Sequence, residues 1–117
     1  MAASSGPSPA RWSEFTLAQQ IIMIANDLHR ASKWMGSGDA NLRRSAYARA
    51  LALTDLTAAG AHRLAFRREI LRWRELVAQL YLDEEPRPDR NRELLRVLLL
   101  FTFETSRQIR HTPGLST

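Results

Sequence analysis

The stretch Leu64–Leu82 reads LAFRREILRWRELVAQLYL, and its apolar residues do not alternate as a strand would require. Phe66, Ile70, Trp73, Val77 and Leu80 recur at intervals of four and three, which places them on one face of an α-helix. Arg68, Arg72, Glu75 and Gln79 fall on the opposite face, as a solvated surface should. Leu64, Leu71 and Leu82 also lie away from the main stripe, so this helix carries apolar residues on two sides. A helix of that kind is either central in its domain or pressed against another molecule.

The chain has 117 residues, a length that argues for one domain with a single core. A hydrophobic share of 44% beside 25% charged residues places it among soluble globular proteins. It contains no cysteine, which excludes disulfides and thiolate chemistry and agrees with a reducing cytoplasm. The formal net charge is +5, and every one of the 17 basic residues except Lys33 is arginine. Two causes fit that bias: a genome of high GC content, or contact with phosphates, where the planar guanidinium outperforms lysine.

Outward from Leu64–Leu82, the same periodicity recurs. Residues 1–11 carry no apolar spacing and are expected to be a disordered tail without a secretory signal. Leu17, Ile21, Ile24, Leu28, Ala31 and Met35 form an unbroken four–three row. Its helix is expected to begin near Ser13, with Trp12 stapled against Leu17 and a Ser13→Ala cost of about 1 kcal/mol, although a Thr16–Gln19 capping box lies one turn later. Gly36 and Gly38 end it. Asp39 is a good cap for a second helix running to about Ala59, with Leu42, Ala46, Ala50 and Leu53 inside. Gly60 marks either a break or a kink before Leu64–Leu82. DEEPRPD, residues 83–89, is a loop, because two prolines break the helix and four acids solvate it. A last helix is expected from after Asp89 to about Arg110, with Leu94, Leu98 and Phe101 inward and Leu99, Leu100 and Phe103 outward. The run Val97–Phe103 could also suit a strand, but no partner strand exists elsewhere, and its flanks are helical in composition. Residues 111–117 form a C-terminal tail. The expected fold is therefore all-α, a single antiparallel up-down-up-down four-helix bundle over residues 12–110.

Catalytic constellations are missing. His29, His62 and His111 belong to no H-E-x-x-H pair, and none follows a glutamate at the spacing that di-iron bundles need. Asp27 and Asp55 sit singly on their helices, so no carboxylate pair is placed for acid–base work. GSGD at Gly36–Asp39 lacks the lysine and strand of a phosphate loop and reads as a helix–helix turn. No catalytic residue, cofactor or metal is assigned.

Two surfaces remain. Outward apolar residues Ile22, Leu71, Leu99, Leu100 and Phe103 either form an interface, with a second copy or with a partner helix, or belong to the core if the helical phase is shifted. Arg43, Arg44, Arg67, Arg68, Arg72 and Arg74 form either a face for a nucleic-acid backbone or a solvated face partly neutralised by Glu69 and Glu75. In the first of those arginine readings Tyr81, on the side of Arg67 and Arg74, would supply a stacking ring.

Phe15-Thr16-Leu17 followed by Ile21, Ala25, Asp27 and Leu28 resembles the opening core helix of accessory proteins of diversity-generating retroelements. That resemblance implies a basic bundle, often oligomeric, that binds a reverse transcriptase and RNA. Ala18 stands where that family usually has glycine, no helix is expected before this one, and a Gly-Gly-Trp-like ending is absent. Gly38-Asp39, the run ARALALTDL at Ala48–Leu56 and the helix lengths are similar to the layout of flagellin export chaperones, without their Leu-Tyr-Asp-Gly signature. Neither resemblance assigns a role to a particular residue. The combined expectation is a non-enzymatic, cytoplasmic adaptor that self-associates or captures a partner helix and does not enter a membrane. The alternative is an RNA- or DNA-binding bundle.

Overall fold

In the computed structural model, which describes the backbone of residues 6–110 and side chains up to Thr102, the chain is all-helical. Among the described residues five helices follow one another: α1 (Pro9–Trp12), α2 (Leu17–Ser37), α3 (Ala40–Ala59), α4 (Leu64–Leu82) and α5 (Pro88–Arg110). The fifth, α1, was not expected. Its single turn is set by Ser8, whose hydroxyl accepts from the Arg11 amide, and by Pro9 with its φ already helical. The expected tail therefore gives way to structure by Pro9, because Trp12 is worth burying: it is 2% exposed.

Ser13 closes α1 instead of opening the next helix, and its hydroxyl donates to the Ala10 carbonyl. Trp12 meets Phe15 edge-on, at 5.9 Å between centroids. The long α2 starts from the other candidate. Thr16 accepts from the Gln19 amide while the Gln19 side chain accepts from the Thr16 amide, a complete capping box. Gly38, at φ 75°, closes α2 in the left-handed region that other residues avoid. Asp39 caps α3 through the Leu42 amide. The last helix begins at Pro88, one residue before Asp89, because proline is suited to a first helical turn.

The core is the set of inner rows. Ile21, Ile24, Leu28 and Ala31 of α2 meet Ala46, Ala50 and Leu53 of α3, Ile70, Trp73, Val77 and Leu80 of α4, and Leu94 and Leu98 of α5. Leu42, expected inside, is instead 41% exposed, because α3 turns Arg43 inward at that level. Packing is closest between α2 and α3, then between α2 and α5 and between α3 and α4, while α4 and α5 touch more lightly.

Polar side chains inside this core each have a partner. The Tyr47 hydroxyl donates to Asn91 Oδ1 at 2.7 Å, and Asn91 Nδ2 donates to the Leu28 carbonyl at 3.1 Å, so α3, α5 and α2 are joined through one amide. Burial pushes the Tyr47 hydroxyl up to about 12, with Arg43 pulling the other way, which keeps it a donor at ordinary pH. Trp73 Nε1 donates to the Leu94 carbonyl at 2.8 Å. Arg43, 4% exposed, donates to the carbonyls of Asp83 and Glu84 and holds the α4–α5 loop against α3.

Candidate functional site: an apolar cleft and the outward leucines

A hollow lies where α1, the start of α2, the end of α3 and the start of α4 converge, with Phe101 of α5 completing the lining. Its volume is about 770 Å³, and it is open to solvent on one side. The apolar lining includes Phe15, Leu17, Leu56, Phe66 and Phe101, and Phe66 and Phe101 meet edge-on at 5.8 Å. Trp12 and Thr57, both buried, mark its base.

At that base the polar atoms satisfy one another. Trp12 Nε1 donates to Thr57 Oγ1 at 3.0 Å, and Thr57 Oγ1 donates to Gln20 Oε1 at 2.9 Å. Gln20 Nε2 donates to the carbonyls of Trp12 and Phe15. This closed ring fastens α1 to α2 and α3 and leaves the deep end of the cleft without a free donor. The exposed lining residues His62, Arg63 and Ala65 mark the mouth. Arg63 is the N-cap of α4, but no side chain caps that helix and its first turn holds no acid. Glu69, also in the lining, is paired with Arg72 at 3.0 Å.

The outward apolar residues stand apart from the cleft. Ile22 is 51% exposed, Leu71 39%, Leu99 42% and Leu100 52%, while the side chain of Phe103 lies outside the described residues. Leu64, Leu82 and Val97 are exposed as well. The helical phase is thus the one the four–three spacing implies, so these leucines are surface and not core.

Most of the six arginines considered as a nucleic-acid face are engaged within the chain. Arg43 is buried against the α4–α5 loop, which removes it from any outer surface. Arg67 donates to the carbonyls of Ala58, Ala59 and Ala61, satisfying the end of α3. Arg74 forms a two-pronged pair with Asp55 of α3, and Arg72 pairs with Glu69. Arg44 is half-buried and Arg68 is exposed. Spacing alone missed this because Arg67 and Arg74 lie on the side of α4 that turns toward α3.

Asp27 holds the one buried carboxylate among the described residues, 1% exposed, between Arg30 and Arg49 at 3.4 Å each. Burial raises its pKa above the ordinary 3.8, against the pull of Arg49 and then Arg30. Both arginines are partly exposed; Arg30 pairs with Asp27 within α2, and Arg49 links α3 to it. His29 and His62 are exposed, and His111 lies outside the described residues. Among the described residues no group of three or more histidines and acids is placed to hold a metal ion. No described helix is long and apolar enough to cross a membrane. No family model, curated protein or solved structure matches this chain.

Proposed function

We propose that this protein is a non-enzymatic interaction module that works by apolar contact between helices, first of all with a second copy of itself. In this reading α2 to α5 form an up-down-up-down four-helix bundle and α1 is a brace across one end. Pairings between neighbours support that topology: Arg67 meets Ala58 and Arg74 meets Asp55, so α4 returns along α3, and Asn91 near the start of α5 reaches Leu28 in the second half of α2.

The observation that carries the functional reading is the exposure of Ile22, Leu71, Leu99 and Leu100 on a molecule whose core is already closed. Leu99 and Leu100 are adjacent on α5 and Leu71 lies on α4, so more than one face offers apolar surface. The test is the mass in solution. Sedimentation and light scattering should give a particle larger than the 13.3 kDa chain, and Leu99→Glu with Leu100→Glu should return it to a monomer. A monomeric wild type at high micromolar concentration would overturn the proposal.

A further inference from the structure

We propose that the cleft beneath α1 binds an amphiphile with one apolar chain and one anionic head, of the long-chain carboxylate class. This inference is independent of self-association through the outward leucines, since it uses none of those residues.

Volume comes first. About 770 Å³ lies within the range of pockets that bury most of a small molecule, and its lining is mainly aromatic and aliphatic, with Phe15, Leu56, Phe66 and Phe101 among them. An apolar chain removed from water there gains roughly 25 cal/mol for each Å² it buries. The polarity of the cleft is graded. At the base Trp12, Thr57 and Gln20 use their donors on one another and on backbone carbonyls, so a polar group pushed to that depth would find no donor. Charge is available only toward the mouth.

There the sign is positive. Arg63 is exposed, makes no ion pair among the described residues, and sits at the start of α4, whose first-turn amides have no side-chain cap. Those amides carry the positive end of the helix dipole and suit an anion. The carboxylate in the lining, Glu69, is already paired with Arg72 and so offers little to a cationic head. An apolar interior with one positive rim selects a ligand that is greasy at one end and negative at the other. It disfavours an uncharged hydrocarbon, a polyanion and, most of all, a cationic surfactant.

The experiment is titration calorimetry of the full chain, below micellar concentrations, with dodecanoate, dodecanol and dodecyltrimethylammonium. Dodecanoate should saturate at one per chain, and dodecanol should bind at least tenfold more weakly, a difference of about 1.4 kcal/mol. The cationic surfactant should bind more weakly still. Arg63→Glu should weaken dodecanoate at least tenfold and leave dodecanol unchanged. An acid at the start of a helix supports the helix, so that loss would not reflect unfolding. Ala65→Trp, which fills the exposed mouth without touching the core, should weaken dodecanoate and dodecanol together, with an unaltered thermal melt as the control.

No saturable dodecanoate binding, or equal affinity for dodecanoate and the cationic surfactant, would overturn the proposal. So would an Ala65→Trp protein that binds dodecanoate normally but has a lower mass in solution, because the occupant of the cleft would then be a second copy. The mass of the Leu99→Glu and Leu100→Glu variant reads self-association separately, so the two proposals can fail independently.

Discussion

Asp27 illustrates how one side chain can bear on stability in an unexpected direction. Its carboxyl holds its proton more tightly in the folded chain than in the unfolded one, because burial outweighs the attraction of Arg49 and Arg30. Stability from that preference is fully present below the ordinary pKa of 3.8 and is lost as pH rises through the higher folded value. Asp83 has the opposite sign, since the Arg87 hydrogen bond and the Glu85 amide hold it below 3.8, and its contribution is lost as pH falls through the folded value. Asp27→Asn mimics the neutral carboxyl. Its melting temperature relative to wild type should therefore rise between about pH 3 and pH 7, as only the wild type acquires a buried charge. A difference that stays constant over that span would show that Asp27 titrates alike in both states. Tyr47→Phe removes the donor to Asn91 Oδ1 and leaves that buried oxygen unpaired. Urea unfolding should record a loss of about 1–3 kcal/mol.

Among the helices, the ends were more legible than the interiors of the faces. Gly38, Asp39 and the break after Ala59 stand where the residue types place them, because a left-handed glycine and a capping carboxylate act through their immediate neighbours. At the start of α2 two local candidates competed. Thr16 prevails because Gln19 completes its capping box, while Ser13 turns back to Ala10. Thr16→Ala should cost about 1 kcal/mol in thermal or urea unfolding. Ser13→Ala should cost clearly less, and equal losses would contradict the cap assignment. The third helix was the least readable. It buries Arg43, Tyr47, Thr54 and Thr57 and leaves Leu42 out, since it packs on α2 and α4 and meets polar partners from α1, the α4–α5 loop and α5. Nothing in the local spacing of α3 announces those partners.

For the molecule as a whole, core and surface leucines should separate in their effects. Leu28 is fully buried where α2 meets the rest of the core, and Leu28→Ala should cost about 2–5 kcal/mol. Leu99→Ala, at a site 42% exposed, should change stability by no more than about 0.5 kcal/mol yet lower the mass in solution. Unfolding curves and sedimentation on the same two variants check both halves of that contrast. Four of the five outward apolar residues are visible on the surface because helical phase follows from 3.6 residues per turn, a property of the backbone that any eighteen-residue window reveals. The cleft had no such signal. Trp12 and Thr57 at its base lie 45 positions apart, and outside the cleft the Asn91–Leu28 pair likewise spans 63. The four long helices, most of their caps and the inner rows of α2, α4 and α5 were thus decided locally, by spacing along the chain. Which arginines are engaged, which polar groups are buried and where a hollow remains were decided only when distant segments packed together, because a buried group's partner and a cavity's walls come from different helices.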